Sequence, residues 1–155
     1  TKIDLEESPS GLKVLLDGED VAPFIRTPEL TNNVKYIARV PGVRYEMVRL
    51  QRSIGERHGA VLEGRDIGTV VFPDADYKFY LDADVKERAK RRHKELVAFG
   101  EKISLEAIEK DVKARDESDM KRSVGALKKA QDAIYIDTTD LSIEEAVGKI
   151  LSYIK

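Results

Sequence analysis

The sequence predicts an α/β fold, parallel strands joined by helices, with a small antiparallel sheet in front. Three observations carry this expectation. From residue 60 onward, short β-prone runs at 60–62, 77–81 and 133–137 alternate with amphipathic helical stretches, the pattern of a sheet whose parallel strands are linked by helices. Before them, residues 2–7 and 12–17 flank the turn Ser8-Pro9-Ser10-Gly11; polar and apolar residues alternate through the first run, and the pair reads as a hairpin. The apolar run Ala60-Val61-Leu62 then breaks into Gly64-Arg65-Asp66-Ile67-Gly68-Thr69. In open α/β sheets, ligands bind just beyond the carboxyl ends of the strands.

The bulk properties narrow the function classes. A chain of 155 residues fits one ordinary domain with a real core. With a net charge of −2 and 36% charged residues, a broadly basic nucleic-acid coat is disfavoured and function lies in local charge placement. Cysteine is absent, which excludes disulfides and thiolate metal sites. His58 and His93 lie far apart in charged contexts, fitting surface or packing roles better than a zinc site. No apolar run is long enough to span a membrane and no signal-peptide pattern opens the chain, so the expectation is a cytoplasmic protein. The first residue is Thr1, inside a strand-like run, and a piece of a longer protein is expected.

Taken in order, the hairpin is followed by a turn at Gly18-Glu19-Asp20 and an extended stretch over 21–26. Thr27-Pro28 marks a helix start, Thr27 capping and Pro28 at the first helical position. That helix stops near 39, before Val40-Pro41-Gly42, and a second over 43–57 carries Val43, Met47, Leu50 and Ile54 as a core-facing stripe. Arg44 opens the second helix, a position the helix dipole disfavours for a cation. After the strand at 77–81, Asp84 caps a helix over 85–99 that ends at Gly100. Ser104 caps the next, with Leu105, Ile108 and Val112 on its apolar side and Arg115, Asp119 and Arg122 along one polar face. The strand at 133–137 leads to Ser142, the cap of a final helix with Ile143, Val147, Ile150 and Leu151 expected to be buried.

Each candidate residue has an ordinary and a functional reading. Gly64 and Gly68 allow sharp turns or a close approach of the backbone to a ligand. Arg65 can fork onto a phosphate or carboxylate, and Asp66 can accept from an amine or a hydroxyl. Equally, the two form a local surface pair of little worth. Arg88, Arg91 and Arg92, at i, i+3 and i+4, make either a solvated basic face or a clamp for polyphosphate. The Arg115–Asp119–Arg122 series is either a ladder of exposed ion pairs or a strip that holds a sugar and its phosphate.

The segment Glu63-Gly64-Arg65-Asp66-Ile67-Gly68-Thr69-Val70-Val71-Phe72-Pro73-Asp74-Ala75, followed by Phe79-Tyr80-Leu81-Asp82-Ala83, resembles the bacterial cytidylate kinase family. So do Glu87-Arg88-Ala89-x-Arg91-Arg92, Arg115-Asp116-x-x-Asp119-x-x-Arg122 and Ile136-Asp137-Thr138-Thr139, and residues 17–27 resemble that family's nucleotide-binding insert. The resemblance covers essentially the whole chain in the family's order. It implies a P-loop kinase-type sheet, with a monophosphate-binding insert at 1–58 and a core section at 59–155 that includes a helical lid around 85–122. It implies transfer of the γ-phosphoryl group of ATP, with Mg²⁺, to CMP or dCMP by an enzyme that is monomeric when intact and binds neither nucleic acid nor membrane. Arg44 and Asp66 match residues that recognise cytosine, Arg65 and Arg122 contacts to the monophosphate, and Arg115 and Asp119 contacts to the sugar. Arg88, Arg91 and Arg92 match the lid that meets the donor phosphates, with Arg91, Arg92 and Arg122 closest to the transfer itself. Arginines suit this chemistry, which is mostly positioning and charge neutralisation.

Two departures accompany the resemblance. Lys35 stands where the family often has a serine that helps contact the base. No Gly-x-x-x-x-Gly-Lys-[Ser/Thr] loop occurs in these residues. The family's P-loop strand lies inside the sheet, between the strands matching 60–62 and 77–81. Its absence leaves an incomplete sheet, and the isolated chain is expected not to hold ATP. Two rivals remain at this level: a non-catalytic CMP-binding or assembly module, and a kinase for another monophosphate such as UMP.

Overall fold

The computed structural model describes every residue except Thr1, Ser10, Arg26, Arg39, Arg57, His58 and Lys155, and not the side chains of Glu7, Pro28, Glu29, Thr31, Asn32 and Lys35. The expectations for His58 and Lys35 therefore lie outside the described residues. The chain divides into two compact units, Thr1–Val61 and Leu62–Lys155.

In the first unit, β1 (Ile3–Ser8) pairs antiparallel with β2 (Gly11–Leu16) in the register Ile3↔Leu16 to Ser8↔Gly11, and β2 pairs with β3 (Glu19–Asp20). The turn between β2 and β3 is Asp17-Gly18, both at positive φ (52° and 94°). Asp-Gly with both residues left-handed suits the twist of a two-residue hairpin, so Glu19 and Asp20 form a strand and not the expected turn. Of the stretch expected to be extended over 21–26, the described residues 21–25 are likewise not extended throughout. The Asp20 carboxylate accepts from the Ala22 amide at 3.0 Å, and the amides of Phe24 and Ile25 return to the Val21 carbonyl. Such local bonds compete with strand pairing.

Helix α1 (Pro28–Ile37) starts as expected, with Thr27 Oγ1 accepting from the Leu30 amide at 3.3 Å. Helix α2 (Pro41–Gly55) begins two residues before the expected start, because proline is tolerated at the first helical position. Arg44 therefore sits one turn in, its amide bonded to the Val40 carbonyl at 3.0 Å. The dipole penalty inferred for an opening residue does not apply to it. Met47, Leu50 and Ile54 are half-buried and Val43 is exposed, so the expected core stripe is only partly covered.

In the second unit, β4 (Phe79–Asp82) and β5 (Ile134–Asp137) form a parallel pair from Phe79↔Ile134 to Asp82↔Asp137. The connection between them carries α3 (Val85–Ala98) and α4 (Leu105–Met120), which pack together. The mixed α/β class, with an antiparallel sheet at the front, is as read from the sequence. Asp84 caps α3 by accepting from the Lys86 and Glu87 amides. Gly100, at φ +86°, ends it in a Schellman arrangement: Glu101 N–H donates to Leu96 O and Gly100 N–H to Val97 O. Ser104 caps α4, and Ser142 with Glu145 forms a full capping box on α5 (Ile143–Leu151). Val71, Ala83, Ala89, Ile108 and Ile136 form the buried centre.

Three expectations fail in this region. Residues 60–62 are not a strand, and Val61 is fully exposed. β-prone residues form a strand only where an edge accepts them, and the described partner of β4 is β5. Helix α4 ends at Met120, so Arg122 stands on the loop beyond it, not on the helix face. On α5, Ile143, Val147 and Leu151 are exposed and Ile150 is half-buried; a two-stranded sheet offers little face to cover an amphipathic helix.

Candidate functional site

The site is built on the turn that follows residue 62. Residues 64–66 bend, and Ile67–Val71 form a single π-helical turn, a rare conformation that is frequent at functional sites. The Asp66 carbonyl gathers the amides of Thr69, Val70 and Val71 and the Thr69 hydroxyl, and Phe72 N–H closes onto Ile67 O at 2.7 Å. The two glycines serve this geometry. A Cβ at Gly64 would lie 3.0 Å from Ile67 Cγ1, and one at Gly68 3.2 Å from Lys78 Cδ. The close approach expected at both is made by the protein's own side chains.

The turn presents Arg65, whose Nε lies 2.9 Å from Asp119 Oδ2. From the other side, Arg122 Nη2 lies 2.5 Å from Asp119 Oδ1. Asp119, on the last turn of α4, is 1% exposed, while the side chains of Arg65 and Arg122 keep 42% and 25% of their surface. The Arg122 loop folds back through Leu127 N–H to Asp119 O at 2.9 Å, with Gly125 at φ +66°. One buried carboxylate thus holds two partly exposed guanidinium groups, an arrangement carrying a net positive charge. Each guanidinium has five donors in a planar fork, and these contacts engage one nitrogen of each. The pair is therefore chemically suited to a tetrahedral oxyanion such as a phosphate.

Of the remaining candidates, Asp66 belongs to this same turn. Asp66 is buried at 5% exposed. Arg115 is exposed on α4 and does not join the Asp119 group. Arg44 is half-buried on α2 in the first unit. The three arginines of α3 do not converge on one point. Arg88 donates to Ala83 O and pairs with Asp116 at 2.8 Å, and Arg92 pairs with Glu95 on the surface. Arg91 pairs with Glu87 and donates to Thr138 O at 2.6 Å and Thr139 O at 3.2 Å. The loop after β5 that receives Arg91 is itself ordered by Asp137, which accepts from the Thr139 hydroxyl and amide. These bonds, the hydroxyl's first, hold the Asp137 carboxyl below its ordinary pKa.

Sequence reasoning named Asp116, Thr138 and Thr139 only within family motifs and gave them no role, and it did not single out Lys78. The available signal for Lys78 was a lysine inside the apolar run Tyr77-Lys78-Phe79-Tyr80-Leu81. Among the described residues, no group of three or more His, Asp or Glu is placed to hold a metal ion, and no helix is long and apolar enough to cross a membrane.

Comparison with known proteins places these observations in a family. The cytidylate kinase family model matches residues 1–155. The cytidylate kinase of Anoxybacillus flavithermus is 50% identical over 155 residues, covering 100% of this chain and 69% of that protein. The cytidylate kinase of Geobacillus sp. (strain WCH70) is 49% identical over 154 residues, 99% of this chain and 69% of its own length. That of Bacillus velezensis is 47% identical over 155 residues, again with 69% of its length covered.

Proposed function

The chain belongs to the cytidylate kinase family, and we propose that the Arg65–Asp119–Arg122 group is where its acceptor monophosphate is held. The function is that of a nucleoside monophosphate kinase, ATP-dependent phosphoryl transfer to cytidylate; a purely non-catalytic module is not favoured. An oxygen of the CMP or dCMP phosphate attacks the γ-phosphorus of ATP, the bond to the β–γ bridging oxygen breaks, and ADP leaves, with CDP from CMP or dCDP from dCMP as product. Such chemistry asks the protein for positioning and for positive charge around the oxygens.

The observation that carries the reading is the buried Asp119 gripping two arginines whose outer faces remain exposed. Asp119 fixes the guanidinium groups before the ligand arrives, so less side-chain freedom is lost on binding. Both carboxylate oxygens of Asp119 are buried, which stands against its expected contact with the sugar, and Arg115, exposed on the same helix, is the freer sugar contact. Arg44 and Asp66 read the cytosine in this proposal, and Arg88, Arg91 and Arg92 belong to the lid side. Arg91 acts from its anchorage on the loop after β5. The described residues do not fit a dedicated Mg²⁺ cage. A magnesium ion accompanying ATP takes its ligands largely from phosphates and water. The enzyme works as a cytoplasmic monomer on free nucleotides.

Calorimetric titration of the 155-residue chain tests this reading. CMP should bind, UMP more weakly, and ATP should give no heat, since no Gly-x-x-x-x-Gly-Lys-[Ser/Thr] loop lies within these residues. Equal binding of CMP and UMP would remove Arg44 and Asp66 from base recognition. Absence of CMP binding would remove the acceptor site from this chain.

A further inference from the structure

We propose that Lys78 is a positioning residue for the acceptor site, clamping the π-helical turn that follows Arg65 and Asp66 to the entry of β5. The inference rests on the acceptor-site reading above. Lys78 immediately precedes β4, and its side chain is only 10% exposed. An ammonium is strongly hydrated, and lysine is almost never buried without partners. Here it has two: Nζ donates to the Pro73 carbonyl at 2.5 Å and pairs with Asp132. The Lys78 hydrogen bond is the main reason that the Asp132 carboxyl sits below its ordinary pKa.

The stem of the side chain contributes as much as its tip. Its Cγ and Cδ occupy the space a Cβ at Gly68 would need, at 3.3 and 3.2 Å. The backbone carbonyl of Lys78 accepts from Ile134 N–H at 2.9 Å, where β5 begins. One residue therefore touches the turn at Gly68, its exit at Pro73 and the start of the neighbouring strand. An exposed ion pair alone would contribute little, and Asp132 is 64% exposed. A buried stem and a bonded turn carbonyl distinguish this lysine from such a pair. The Gly68–Lys78 contact also explains why the turn carries glycine at this position.

Lys78→Met keeps most of the stem and removes the ammonium. Hydrogen exchange of the bonded amides of Thr69, Val70, Val71 and Phe72 should accelerate at least about ten-fold, the signature of local opening. Amides of Ile108 and Val112 in α4 should be unchanged. The dissociation constant for CMP should rise about ten-fold, roughly the loss of one ordinary hydrogen bond's worth of order. Asp132→Ala, at an exposed partner that does not endanger folding, should give the same pattern at smaller size. Unchanged turn exchange in both variants overturns the inference. So does equal acceleration throughout the unit, which marks a merely structural lysine, and so does faster turn exchange with unaltered CMP affinity. If the wild-type chain takes up no CMP, the acceptor-site reading fails, and the exchange data alone support or overturn the clamp.

Discussion

Arg65→Ala combined with Arg122→Ala is expected to lower the stability of the Leu62–Lys155 unit by about 3–5 kcal/mol, the cost of leaving a buried charge without its partners. The carboxylate they abandon is 1% exposed with both arginines in place, and its two ion pairs are to them. The single variants should cost less, because one guanidinium remains. Arg122→Ala should be the worse of the two, since Arg65 is more exposed and its pair is more screened by solvent. This revises the sequence-based picture of Arg122 as one rung in a ladder of surface pairs. Adding Asp119→Leu to the double variant should recover most of the loss, because an apolar side chain of similar volume needs no partner. Urea denaturation followed by circular dichroism measures the four variants against the wild type. A double variant within about 0.5 kcal/mol of wild type would mean that the ion pairs do not hold the Arg122 loop to α4.

Ile136→Ala should be comparably damaging, at about 2–5 kcal/mol, the range for truncating a fully buried isoleucine. Ile136 is 0% exposed at the centre of β5, opposite Leu81 in the parallel pair. The residues after it carry the links to α3: Thr139 Oγ1 accepts from the Asp84 amide at 2.8 Å, and Thr138 O accepts from Arg91. A cavity at Ile136 therefore loosens the start of α3 and the anchorage of Arg91 together. The same denaturation measurement reads the first effect, and faster exchange at the Asp84 amide reads the second. A loss below about 1 kcal/mol would show that the sheet collapses around the missing atoms.

What could be read from the sequence was largely what local chemistry decides. The caps at Thr27, Asp84, Ser104 and Ser142 and the stop at Gly100 depend on a few neighbouring residues, and each stands where read. The strands near 77–81 and 133–137 were legible because their apolar runs find each other in a parallel pair. Residues 60–62 are also apolar but pair with no strand among the described residues. Strand formation rewards a partner, and composition cannot supply one. The Asp17-Gly18 hairpin was available in the sequence as a strong local signal and was placed one residue late. At the site, the proximity of Asp119 to Arg122 follows from their spacing, whereas Arg65 reaches Asp119 only through the tertiary fold. The inward commitment of Arg88 and Arg91 was equally hidden, since helical spacing reports a shared face and not what that face meets.

The central claim is that Arg65 and Arg122, aligned by Asp119, hold the phosphate of the acceptor. The most direct test compares CMP with cytidine, which lacks only that phosphate, by calorimetric titration of the wild-type chain and the Arg65→Ala/Asp119→Leu/Arg122→Ala variant. Two charge-assisted contacts at about 1.5–3 kcal/mol each correspond to a preference for CMP over cytidine of roughly 10²-fold or more in the wild type. That preference should vanish in the variant. A variant that still prefers CMP by the wild-type margin would place the phosphate elsewhere and contradict the account.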